Sequence, residues 1–90
     1  MTDDSTNPRR HSEVQGKDLG DEYLFYDHSG DRVHVLNATA RTIYMLCDGD
    51  RSVEQIIQEF ARTYELDEET ADRDTRETLT RLVECGLIDG

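Results

Sequence analysis

The 90-residue chain has no tryptophan, one proline and two cysteines, and each scarcity removes a class of protein. Cys47 and Cys85 form no CxxC pair and have no histidine at ligand spacing, so neither a zinc site nor a disulfide framework is indicated and buried thiols are expected. No stretch approaches the roughly 20 apolar residues of a membrane span, and the N-terminus lacks the apolar segment of a secretion signal. The expectation is a soluble, cytoplasmic protein. Hydrophobic residues make up only 34% of the chain, which points to an unstructured portion that dilutes the average. Residues 1–13 supply it. Their only apolar side chain is Met1 and they hold the one proline, so they are read as a disordered polar tail ahead of a single domain over 14–90.

Positive charge is also scarce. Asp and Glu number 21 against 10 Lys and Arg, a formal charge of −11; Asp3, Asp4 and Glu13 against Arg9 and Arg10 give the tail −1, which leaves −10 on the domain. Such a surface repels phosphate backbones and favours basic or neutral partners, although acidity for solubility alone reads equally well. The last helical stretch carries Asp67, Glu68, Glu69, Asp72, Asp74, Glu77 and Glu84 against Arg73, Arg76 and Arg81, so it lacks the basic face of a DNA-recognition helix. No nucleic-acid partner is expected.

Catalytic chemistry has little to stand on. His11, His28 and His34 fall in the tail, a turn and a strand, and no nucleophile sits beside a base. The acidic run from Glu65 to Glu77 lacks the alternating ligands and central glycine of a calcium loop; it fits the solvated, positive end of a helix dipole instead. No catalytic residue, metal or cofactor is expected.

What is present is a clear order of elements. Val14–Leu19 is a weak strand, and Glu22–Asp27, with Tyr23, Leu24, Phe25 and Tyr26 in a row, is a strong one whose composition suits contacts on both faces. A turn at His28-Ser29-Gly30-Asp31 leads to a third strand, Arg32–Leu36, with Val33 and Val35 on one face and Arg32, His34 and Leu36 on the other. Asn37 caps a helix of about ten residues with the stripe Ala40, Ile43, Tyr44, Leu46 and Cys47, ended by Asp48-Gly49. Ser52 and Gln55 form a capping box for a second helix with Val53, Ile56, Ile57, Phe60, Ala61 and Tyr64 on one face. Asp67 caps a third, with the stripe Ala71, Thr75, Thr78, Leu79, Leu82 and Val83; Gly86 stops it, and Leu87-Ile88 fold back as an apolar cap. The fold class is therefore α+β, a three-stranded antiparallel sheet followed by three helices in the order β-β-β-α-α-α.

Several of these residues together resemble the PqqD-like family. Leu36-Asn37-Ala38-Thr39-Ala40, Ile43, Leu46 and Asp48-Gly49 are similar to its "LN-x-T/S-A … I-x-x-L-x-D-G" pattern, and Ser52–Ile57 to its second-helix opening. Tyr64, Asp74 and the closing Leu79, Leu82, Gly86, Leu87 and Ile88 extend the likeness over residues 14 to 89. The resemblance implies a winged-helix-like RiPP recognition element, a non-catalytic peptide chaperone in natural product biosynthesis. Such a domain binds the leader region of a ribosomally made precursor peptide and presents it to a separate modifying enzyme, here of the radical SAM type. It implies that the leader adds as an antiparallel strand to Arg32, Val33, His34, Val35 and Leu36, with Asp74, Thr75, Thr78, Leu79 and Leu82 forming the helix wall of a groove. Val33, Val35, Leu79 and Leu82 read equally well as core. Two other readings stand beside this one: a lasso-type adaptor delivering the precursor to a leader peptidase, and an acidic winged-helix regulator binding protein or DNA.

Overall fold

The computed structural model describes residues 7–11, 16–26 and 33–89. Its elements in chain order are β1 (Arg9–Arg10), β2 (Gly16–Asp18), β3 (Tyr23–Tyr26), β4 (Val33–Leu36), α1 (Ala38–Leu46), α2 (Val53–Tyr64), α3 (Glu68–Glu84) and β5 (Ile88–Asp89). Strands β2, β3 and β4 form an antiparallel sheet in that order, followed by the three helices. This is the expected α+β arrangement, with short strands inside the expected ranges. Val14, Asp27, Arg32, His28 and the rest of the turn at 28–31 lie outside the described residues.

Local chemistry explains the helix boundaries. The Asn37 side chain accepts the Ala40 N–H at 2.9 Å, which satisfies one of the orphan donors at the start of α1. Ser52 and Gln55 exchange side-chain bonds with each other's backbone N–H at 3.2 and 2.8 Å, the capping box read from the sequence. Asp67 occupies the N-cap position of α3 in extended conformation, but its side chain makes no capping bond; Glu68 and Glu69 in the first turn supply the dipole's counter-charge. After α3, Gly86 takes φ +75°, and the Leu87 N–H reaches back to the Leu82 carbonyl at 2.9 Å. This left-handed reversal turns Leu87 and Ile88 into the core.

The core lies where the helices meet each other and one face of the sheet. Phe25, Ile43, Tyr44, Ile56, Phe60, Leu82 and Leu87 are among its buried side chains, each stabilising the fold by about 1.5–3 kcal/mol relative to exposure for the aliphatic and phenyl groups. Tyr23 tilts against Tyr44 with centroids 5.0 Å apart, joining β3 to α1. Val83, expected on the buried stripe of α3, is instead exposed at its edge, because it falls about 80° round the helix from Thr75 at 100° per residue.

The N-terminal segment departs from the expected tail over residues 7–11. Arg9 and Arg10 pair antiparallel with Asp89 and Ile88, Pro8 is buried, and its carbonyl accepts the Gly49 N–H at 2.9 Å. The Arg10 N–H donates to Cys47 and the His11 N–H to Leu87. The Arg10 guanidinium donates to the Tyr44 and Met45 carbonyls at 3.3 and 2.5 Å and lies 5.8 Å from the Tyr44 ring centre. A cation thus meets the carbonyl end of α1, where the helix dipole is negative. Gly49 permits the close pass: its φ is +84°, and a Cβ there would stand 2.9 Å from Arg9 Cδ. Residues held in this way need no apolar side chains, which is why hydropathy does not reveal them.

Candidate functional site

Among the described residues β4 pairs only with β3 and stands at the end of its sheet. Among the described residues no strand lies along its other side, the position from which a sheet can accept another chain. At the opposite end β2 also pairs only with β3 among the described residues, and a side-chain pair anchors it to α1. Arg41 on α1 donates to both carboxylate oxygens of Asp18 on β2, at 2.7 and 2.6 Å. This guanidinium, helped by the Gly20 N–H, holds the Asp18 carboxyl down at about 2.

The register defines two faces of the sheet. Tyr23 opposes Leu36 and Phe25 opposes His34 on the core side, and the His34 ring stacks on Phe25 with centroids 4.9 Å apart and planes 13° from parallel. Leu24 opposes Val35 and Tyr26 opposes Val33 on the outer side. Tyr26, Val33 and Val35 there are 60%, 47% and 54% exposed. The third strand thus has the two faces read from the sequence, with the valine face outward and His34 and Leu36 inward. The expectation of burial on both faces of β3 fails for Tyr26, since no element of the described chain covers that side.

Helix α3 likewise has two flanks. Its Arg76 reaches Glu54 of α2 at 3.2 Å and Asp72 at 2.7 Å, which turns the Asp72–Arg76–Val83 flank towards α2. An apolar pocket of about 320 Å³ opens there, lined by Pro8, Val53, Leu79, Thr80, Val83, Glu84 and Ile88. At 3.6 residues per turn, Asp74, Thr78, Arg81 and Cys85 lie on the other flank, where Asp74 and Thr78 are half-buried and Asp74 has Arg73 at 3.7 Å.

The structure sorts the anticipated site residues. Val33, His34, Val35 and Leu36 come together on β4, the end strand of the sheet; Arg32 lies outside the described residues. Asp74 and Thr78 share an accessible flank of α3. Thr75, Leu79 and Leu82 are 0%, 8% and 1% exposed and belong to the core, and the Thr75 hydroxyl has no hydrogen-bond partner there. Leu24, Tyr26 and the pocket beside Val83 are surface features the sequence reading does not include; the continuous apolar run of β3 is the trace of the first two. Elsewhere, burial pushes the Cys47 thiol up to about 12, and burial with the neighbouring Tyr23 does the same to the Tyr44 hydroxyl. Among the described residues no three His, Cys, Asp or Glu side chains converge as a metal set, and no helix is long and apolar enough to cross a membrane.

A winged-helix-like α+β domain whose sheet ends in β4 with no further strand among the described residues is what these elements define. The chain belongs to the PqqD family: the model of coenzyme PQQ synthesis protein D matches residues 22–88. Its fold is similar to that of a solved structure described as TbiB1 in complex with the TbiA(beta) leader peptide, with a TM-score of 0.77 and 23% identity over 91% of this chain and 95% of that one. No curated protein matches the sequence.

Proposed function

We propose that the chain is a non-catalytic adaptor that binds the leader region of a ribosomally made precursor peptide and presents it to a separate modifying enzyme of the radical SAM type. The open edge of β4 carries this reading. A leader extended along Val33–Leu36 satisfies the outward main-chain groups, and its inward side chains enter a groove between β4 and the Asp74–Thr78 flank of α3. Membership of the PqqD family and the leader peptide bound to the similar TbiB1 both support it. Arg32, next to Val33 in the sequence, belongs to the same reading, while Thr75, Leu79 and Leu82 shape the groove from behind.

The acidic charge of −11 adds a preference for leaders in which basic residues flank the apolar anchors, and raised salt should weaken their binding. Amide-shift mapping of the labelled chain with a candidate leader tests the mode. Shifts should concentrate at Val33–Leu36 and on Asp74 and Thr78; a leader that binds while leaving Val33–Leu36 unmoved excludes strand addition. Omitting the chain from a mixture of precursor and enzyme should slow modification, and an unchanged rate excludes the adaptor role.

A further inference from the structure

The outer face of the sheet is apolar where it borders the open edge and polar where it does not. Val33 and Val35 on β4, with Tyr26 and Leu24 behind them on β3, make a continuous row, while β2 contributes to this face only the exposed Lys17, opposite Leu24. Of the five large hydrophobic side chains exposed among the described residues, three belong to this row. A lopsided patch of this kind has a physical reason when another strand lies along its apolar side. The composition of β3 and β4 is that of strands covered on both faces, yet the described chain covers one.

We infer that the row is the second half of the peptide site, and that the peptides it takes have consecutive apolar residues rather than apolar and polar residues in alternation. This rests on the strand-addition reading above. A peptide strand beside β4 sends alternate side chains to opposite faces. One set enters the groove towards α3. The other set emerges beside Val33 and Val35, where cross-strand neighbours on an outer face stabilise each other. Tyr26 and Leu24 support the valines from the far side, so a β-branched or aromatic peptide residue meets a packed surface instead of water. Continuity decides the occupant: Val33 and Val35 belong at once to the open edge and to the apolar row, so a chain that occupies the first must lie against the second. Two such cross-strand pairs favour an apolar outer residue over a polar one by about 2- to 30-fold in affinity.

The test is selection from a display library of random peptides of about twelve residues, enough to cover β4 with flanks, on the immobilised full chain and in parallel on V33T/V35T. Threonine keeps the β-branch, and both positions are solvent-facing, so the strand and its edge persist. The wild-type chain should enrich runs of three or more apolar residues, and V33T/V35T should lose that enrichment in favour of alternating sequences. Alternating sequences on the wild type, or consecutive runs that survive on V33T/V35T, overturn the inference and leave the adaptor function standing. Enrichment of nothing above the bare support overturns both.

Discussion

Strand addition to β4 makes a prediction that two adjacent substitutions can decide. In an antiparallel strand, alternate residues direct their N–H and C=O groups inward to the partner strand and outward to the free side. Of the four residues of β4, two therefore face β3 and two face the open edge, so a bound peptide gains up to about four main-chain bonds, each worth about 1 kcal/mol net. Their sum barely offsets an association cost of at least ~4 kcal/mol, and affinity is correspondingly sensitive to any one of them. Proline removes one N–H and its ring obstructs close approach. At the outward-directed member of the pair His34 and Val35 it should weaken leader binding by at least ~5-fold, the equivalent of about 1 kcal/mol, while the far-UV spectrum and melting temperature stay near those of the parent. At the inward-directed member it should break the ladder to β3 and lower the melting temperature instead. Fluorescence anisotropy with a labelled leader and thermal unfolding of both variants read the two effects. If the variant that keeps its fold also keeps its affinity, strand addition at β4 is wrong.

Three further outcomes follow from contacts outside the edge. Arg10→Ala removes the guanidinium from the carbonyl end of α1, where charge-assisted bonds in a half-buried setting contribute about 2 kcal/mol, so thermal unfolding should begin roughly 8–16 °C lower; a change of less than ~1 °C would mean that the N-terminal segment is not docked in solution. Cys47 is buried with its thiol raised to about 12, while Cys85 is half-buried. Iodoacetamide near neutral pH should thus alkylate Cys85 first and Cys47 only on unfolding, and equal rates at both would contradict the packing. The Asp18 carboxyl has a folded value of about 2 against 3.8 for the free group. A depressed carboxylate stabilises the fold above its unfolded value, and the contribution disappears as pH falls through the folded one. Its carbon shift should accordingly titrate near 2 in the parent and move up towards 3.8 in Arg41→Ala; titration near 3.8 in both shows that the Asp18–Arg41 pair does not form.

How much of this could be read from the sequence depended on whether side-chain chemistry or main-chain geometry holds each part. Ser52 with Gln55, Asn37 before Ala38, and Gly86 after α3 mark helix ends through bonds or dihedrals that those residue types make readily, so three helices were legible to within a residue or two. Strand β3 was legible from its run of aromatic and aliphatic residues and β4 from the alternation of Val33 and Val35, whereas β2, a Gly-Lys-Asp segment, left only a weak signal. The docked segment around Arg10 was not legible, because its hold is backbone pairing and a guanidinium on carbonyls rather than apolar burial. Periodicity put Leu79 and Leu82 on the inner stripe of α3, but it could not separate core from groove wall, since both lie on that stripe. Nor could it show that Tyr26 would remain uncovered, because composition records the need for a covering surface and not which chain provides it.

The pairing of Arg9 with Asp89 has a consequence for larger architectures. The polypeptide enters and leaves this domain side by side, on a small sheet separate from the one that ends in β4. Chain that precedes Arg9 and chain that follows Asp89 therefore start from neighbouring strands. An enzyme joined upstream, an enzyme joined downstream, or a host protein that carries the whole domain within one of its surface loops would each see the open edge at a similar reach and orientation. Gene fusions in either order, built with equal linkers, should therefore present a bound peptide to the attached enzyme with similar effective concentration.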